Sequence, residues 1–265
     1  MSARRFFRKL AGRKITSLYE LSTPKIHRTV LEVIEGSGQQ LQGNCLDIGS
    51  GGGQLLGLIA ARYSLTPYAC DYIDGLMETP GQKVDLVDLN RESLPYPDNH
   101  FGLVTCIEAI EHLENFRALV REVYRVIKPG GLAVISTPNI LNLRSRIRYF
   151  SSGFYNLFGP LAPGDSRVPG PRGHITPVNW FYLAHALVSA GFQDVRAAVD
   201  KYQRRSIPAF VFFAVPIRLM NWAVNHRDAT KYQTLNDKNR WAVRRMNSRD
   251  LLLGRTLIVR ATKPA

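Results

Sequence analysis

The residues that most restrict the fold are Asp47 to Gly53, which read Asp-Ile-Gly-Ser-Gly-Gly-Gly directly after the apolar pair Cys45-Leu46. An apolar run closed by an acid and followed by alternating glycines predicts a strand ending in a tight turn. Backbone without Cβ atoms can there approach a ligand closely. A dinucleotide fingerprint counted from Gly49 would need glycine where Gln54 stands, and counted from Gly51 where Leu56 stands. The spacing excludes a nicotinamide dinucleotide.

Around this turn, strand-length apolar runs alternate with helical spacing. A helix over 25–35 is expected to follow Ser22-Thr23-Pro24, which reads as a capped entry with proline in the first turn, and to cover the sheet's edge. Strands then end at Ile48 and Cys70 and span Val84–Val87, Leu103–Ile107 and Leu132–Ser136, with helices over Gln54–Tyr63 and Phe116–Val126. Such alternation implies a parallel sheet with helices on both faces and a ligand beyond the strands' carboxyl ends. Asp71 closes Tyr68-Ala69-Cys70, where a carboxylate can accept two hydrogen bonds from a vicinal diol or serve as a helix N-cap. Thr176 and Pro177 are expected to open a helix running through Leu187 toward Gly191, with His174 just before it.

Asp47-x-Gly49-x-Gly51-x-Gly53 resembles the first motif of class I S-adenosylmethionine-dependent methyltransferases. Leu94-Pro95-Tyr96-Pro97-Asp98, Thr105-Cys106-Ile107-Glu108 and Lys128-Pro129-Gly130-Gly131 resemble later ones. The likeness is nearest the ubiquinone-biosynthesis and polysaccharide-cluster branch (methyltransferase type 11). It runs from about residue 43 to 139 and returns weakly near 173–195 and 255–263. It implies an α/β, Rossmann-like, seven-stranded, mostly parallel sheet with an antiparallel last strand, and S-adenosyl-L-methionine as cofactor. Asp47, Gly49, Gly51 and Gly53 would hold its methionine end, Asp71 its ribose, Tyr72 and Asp88 its adenine, and Leu89 would also line the cofactor. Asp85 competes with Asp88, and Glu108 would line the site. Gly102 stands where the family usually has Asp, which puts the local turn in question.

Composition bounds the rest. At 265 residues with 45% hydrophobic composition the chain can build one sizeable core. Cys45, Cys70 and Cys106 fall in strands expected to be buried, so no disulfide and a reducing cytoplasm are expected. The cysteines and six histidines show no metal-ligand spacing, and no apolar stretch of signal-peptide length follows the basic start. Residues 41–140 hold twelve acids against seven bases, so in a chain of net charge +14 the basic excess lies elsewhere. Part of it is Arg4, Arg5, Arg8, Lys9, Arg13 and Lys14, interleaved with Phe6, Phe7, Leu10 and Ile15. That pattern suits an anionic membrane surface or a solvated tail.

The run Ile207–Ile217 is too short to span a bilayer by itself and carries two prolines, which leaves an interfacial contact, a core helix or a dimer contact. The expected division is 1–40 basic segment and covering helix, 41–200 core, 201–250 basic and apolar insertion, and 251–265 final strand. Residues 141–173 would overhang the acceptor. His174 is a candidate base for an acceptor hydroxyl, or simply bonds its loop. The expected reaction is methyl transfer to a hydroxyl of a sugar or lipid-linked intermediate at the cytoplasmic membrane face. Nucleic acid is a weaker alternative partner, since Glu108-Ala109-Ile110 replaces the Asn/Asp-Pro-Pro-aromatic motif of base-amino enzymes; a non-catalytic binding module is another.

Overall fold

The computed structural model describes residues 23–162 and 173–265. The basic-aromatic start and part of the insertion over 141–173 lie outside the described residues. Seven strands form one sheet: β1 (Asn44–Ile48), β2 (Thr66–Asp71), β3 (Val84–Leu86), β4 (Phe101–Ile107), β5 (Ile127–Pro138), β6 (Gln193–Val199) and β7 (Thr256–Thr262). Their order is β3-β2-β1-β4-β5-β7-β6. Strands β1 to β5 pair in parallel, and β7 runs antiparallel to both its neighbours. The chain leaves β1 toward β2 and β3, then returns to build β4 on the other side. This reversal opens a crevice at the carboxyl ends of β1 and β4.

Period-2 burial assigns the two faces. Leu103 and Ile107 of β4 and Leu132 and Val134 of β5 pack with α1 (Pro24–Glu35) and α2 (Gln54–Tyr63). Val104, Cys106, Ala133 and Ile135 pack on the opposite face with α3 (Phe116–Val126) and α5 (Trp180–Ala190). Between them, α4 (Leu143–Ser152) starts the insertion, its N-cap Asn142 accepting from the Ser145 amide. All three cysteines are buried and free.

Local expectations shift in four places. Helix α1 lies over β5, β6 and β7 on one sheet face rather than along an edge, because Ile26, Val30 and Ile34 form a stripe buried in that core. Thr23 occupies its N-cap without a side-chain cap bond. Helix α5 starts at Trp180 with Asn179 as its cap, accepting from the Tyr182 amide, while the Thr176 hydroxyl donates to the Leu113 carbonyl instead. A tertiary contact has displaced the expected cap. The Ile207–Ile217 run continues into a 24-residue helix, α6 (Ile207–Thr230), followed by α7 (Arg240–Arg245) and α8 (Arg249–Leu253). Pro208 sits in the first turn, where its missing N–H costs nothing. At Gly102, a Cβ would stand 2.5 Å from the Gln42 carbonyl oxygen, so close backbone approach explains the missing acid.

Candidate functional site

The three motif glycines turn out to have different tasks. All take positive φ, but a Cβ on Gly49 would meet Ala109 Cβ at 2.8 Å, and one on Gly53 would meet Met77 Sδ at 2.5 Å. These two let the turn pack against the end of β4 and the segment after β2. A Cβ on Gly51 would meet nothing within 4 Å. Gly51 therefore faces open space at the crevice, and its N–H donates to Asp71 Oδ2 at 2.9 Å.

Asp71 ends β2 and also accepts from the Ile73 amide at 3.2 Å. Burial raises its pKa, and the bonds from the Gly51 and Ile73 amides oppose the rise. Each carboxylate oxygen keeps a lone pair for a diol. Asp47 is buried and accepts from the Thr105 hydroxyl at 2.7 Å, which ties β1 to β4 under the turn. Its pKa rises to about 7, chiefly through desolvation, with the Asp71 charge adding to the rise and the Thr105 bond opposing it. Tyr72, beside them, is 46% exposed.

On β3, Asp85 accepts from the Tyr96 hydroxyl at 3.0 Å and pairs with Lys83 at 2.6 Å. These two contacts tie Asp85 to the Leu94–Asp98 segment and to the residue preceding its own strand. Asp88 accepts from the Asn90 amide at 3.2 Å in a local turn and lies 3.7 Å from Arg91, while Leu89 packs on the core. The Leu94–Asp98 signature is clasped by Arg125, which donates to the Tyr96 and Leu94 carbonyls and to Asp98 Oδ1.

Glu108 points the other way. It sits at φ 55° directly after β4, and its Oε1 accepts from Ser136 Oγ on β5 at 3.0 Å, with Arg255 and Asp200 as charged neighbours. β5, β6 and β7 lie on the side of β4 opposite β1 and β2, so Glu108 belongs to a second wall, separate from Asp71. Glu111 joins that wall from a 3-10 turn, Ile110–His112, rather than from an α-helix. It is fully buried, and neither carboxylate oxygen has a hydrogen-bond partner. Burial raises both glutamates' pKa values: for Glu108 the Ser136 bond and Arg255 oppose the rise and Asp200 adds to it, and for Glu111 the Glu108 charge adds to it while the nearby Thr137 hydroxyl opposes it.

The Glu111 carbonyl accepts from the Ile175 and Thr176 amides, which draws His174 into the wall. His174 is buried there rather than standing at the site's mouth. Its Nδ1 donates to the Leu157 carbonyl at 3.1 Å, its Nε2 lies 3.9 Å from Glu111 Oε1, and burial lowers its pKa to about 4. An imidazole so tuned is a weak base near neutrality. The sequence does not single out Glu111 or Ser136 for the site. Only the adjacency of Glu111 to His112 could have drawn attention to them.

Residues 46–135 match the family model described as a methyltransferase domain. Demethylmenaquinone methyltransferase of Geobacillus sp. (strain WCH70) is 29% identical over 105 residues, 36% of this chain and 45% of that protein. Ubiquinone biosynthesis O-methyltransferase of Rickettsia conorii is 34% identical over 102 residues, 36% of this chain and 34% of that protein. The chain thus spans less than half the length of these curated relatives. Among solved structures, a SAM-dependent methyltransferase from Archaeoglobus fulgidus superposes with a TM-score of 0.56 at 17% identity, covering 91% of this chain and 95% of its own. Phosphoethanolamine N-methyltransferase 2 of Haemonchus contortus, solved with S-adenosyl-L-methionine, gives 0.52 at 17% identity, covering 90% and 53%. At such identities the likeness is one of fold. The match to the methyltransferase-domain model covers residues 46–135, and around it the chain has the fold of these S-adenosylmethionine-dependent methyltransferase structures, with Gly51 and Asp71 together at the crevice.

Cofactor affinity is expected to depend on pH through the buried Asp47. Its folded pKa lies above the usual 3.8, so its contribution to apo stability is present below about pH 4 and lost as pH rises through about 7. A cationic ligand reverses the preference and favours the carboxylate. Affinity for S-adenosylmethionine is therefore expected to rise about tenfold from pH 5.5 to pH 8. Asp47→Asn should flatten that profile in a calorimetric titration series.

Proposed function

We propose that this chain transfers the methyl group of S-adenosylmethionine to a hydroxyl oxygen of a lipid-borne acceptor at the cytoplasmic face of a membrane. The donor half rests on the open cradle of Gly51 and Asp71. The acceptor half rests on one observation: no residue of the 24-residue helix α6 is buried. Val211, Phe212, Leu219, Met220 and Trp222 are all exposed on it. By length and composition the stretch Arg204–Thr230 could cross a membrane. A helix apolar on every side suits lipid better than a one-sided packing face.

Basic and aromatic groups support an interfacial seat for α6. Arg204 and Arg205 precede the helix, and Arg227 and Lys231 close it. Arg218, Trp222, His226, Arg240 and Arg244 line a cleft between α6 and α7, suited to anionic headgroups. The relatives named for ubiquinone biosynthesis and for demethylmenaquinone favour a lipophilic acceptor, and a lipid-linked sugar offers the same hydroxyl chemistry. Bound S-adenosylmethionine supplies an electrophilic methyl on sulfur. The protein's part is to hold the acceptor oxygen in line and exclude water.

Purified chain incubated with methyl-labelled S-adenosylmethionine and a lipid extract of its host is expected to label a lipid fraction. Chromatography would then assign the label to a sugar-bearing or a quinone-type lipid. Label confined to nucleic acid or to water-soluble glycan would overturn the acceptor class.

A further inference from the structure

The cleft between α6 and α7 is lined more selectively than attraction to an anionic surface explains. We propose that it is a pocket for one phosphate monoester or diphosphate, carried as the headgroup of the lipid that is to be methylated. The ligand's role as acceptor rests on the methyl-transfer reading; the pocket itself does not.

The walls follow from residue spacing. On α6, Arg218, Trp222 and His226 recur at every fourth position and share one face, and on α7 Arg240 and Arg244 do the same. Both rows line a single cavity of about 390 Å3, within the range of small-ligand pockets. The α7 wall is fixed to the core. Ala242 is buried, its carbonyl accepts from Trp180 Nε1 at 2.9 Å, and Arg245 donates to the Ala197 carbonyl of β6 at 2.6 Å. Asn247, just after α7, donates to Asn221 of α6 at 2.9 Å and ties the second wall to the first.

The charge inside is uncompensated. Among the described residues no acid lines the cavity, and neither Arg218 nor Arg244 has a carboxylate partner. Arg240 has Asp237 at 3.6 Å, but that acid is fully exposed and the pair is screened by solvent. Three guanidiniums lining one space repel one another, and an anion among them turns the repulsion into attraction. The guanidinium fork matches phosphate oxygens two at a time. A phosphate monoester brings about two negative charges and three acceptor oxygens, whereas the diester of an ordinary phospholipid brings a single charge.

Two contacts favour a lipid as the carrier. Trp222 is exposed and stacks on His226, with ring centroids 5.9 Å apart, which puts an indole of the kind that settles at headgroup depth on the lip of the pocket. Arg146 of α4 donates to the Met246 carbonyl just past α7 at 3.1 Å. A lipid held here by its phosphate would lie beside the helix that starts the insertion, with its chains along the apolar surface of α6.

The test is calorimetry of the full-length chain with inorganic diphosphate, followed by flotation with phosphatidylcholine vesicles carrying either phosphatidic acid or phosphatidylglycerol at matched surface charge. One equivalent of diphosphate is expected, and phosphatidic acid should be held about tenfold tighter than phosphatidylglycerol. Arg218→Gln, Arg240→Gln and Arg244→Gln should each weaken binding of diphosphate and of phosphatidic acid about tenfold or more. Arg227→Gln removes the same charge from α6 outside the cleft and should change neither. All four side chains are exposed, so the variants are expected to fold. No binding of diphosphate, equal affinity for the two vesicles, or an equal loss in Arg227→Gln would overturn the proposal. So would a short single-stranded RNA that needs the same arginines and binds more tightly than diphosphate. The lipid labelled by methyl transfer is expected to contain phosphorus, and a phosphorus-free labelled lipid would overturn its assignment to this pocket. No labelling at all, with diphosphate still bound through the three arginines, would instead sink the methyl-transfer reading and leave the pocket standing.

Discussion

Asp71→Ala is expected to weaken S-adenosylmethionine binding about 100-fold while leaving the chain folded. The carboxylate holds the Gly51 amide at 2.9 Å and the Ile73 amide at 3.2 Å, so it positions the glycine turn as well as offering lone pairs to a ribose diol. Hydrogen bonds to a charged group are worth about 1.5–3 kcal/mol each, and losing two of them accounts for that factor. Stability should change little. Burial already penalises the charged form of Asp71, so its removal relieves a desolvation cost while it loses two backbone bonds. Asp71→Asn retains one acceptor oxygen and should lose about tenfold. Unchanged affinity in Asp71→Ala, measured by calorimetry, would remove Asp71 from the cofactor site.

The second large effect concerns α6. Replacing Phe212, Leu219, Met220 and Trp222 together by serine is expected to abolish association with anionic vesicles in a flotation assay. Each such side chain contributes about 1.5–3 kcal/mol on full burial. Even partial immersion of four implies a loss of at least about 10³-fold in partitioning. Thermal stability should hold, because none of the four is buried in the fold. A substantially lower melting temperature would instead mean that α6 packs against protein. High salt should weaken the native chain's association only in part, since it screens the arginines but not the apolar face.

Features set by neighbouring residues were legible in the sequence. The Asp47–Gly53 turn, the alternation of strands with helices and the position of Asp71 all follow from local spacing, and the strand order supplies the crevice that joins them. What distant contacts decide was not legible. The Leu113 carbonyl captures the Thr176 hydroxyl, so Asn179 caps α5. Glu111 turns inward because its segment closes as a 3-10 turn and because the amides of residues 175 and 176 dock on its carbonyl. Glu108 follows β4 as the motif requires, yet Ser136 on β5 holds it in the second wall, away from Asp71. The length of α6 was missed because Arg218 and Asn221 end the apolar run without ending the helix. Helices stop at specific signals, and polarity alone is not one.

The bare backbone at Gly51 and the carboxylate of Asp71 are expected to hold an adenosylated ligand beyond β1. A crystal structure grown with S-adenosylhomocysteine tests it most directly. The expected density places both ribose hydroxyls within hydrogen-bond distance of Asp71 and the nucleoside against Gly51. Density elsewhere, or a turn that stays closed to the ligand at saturating concentration, would contradict the account.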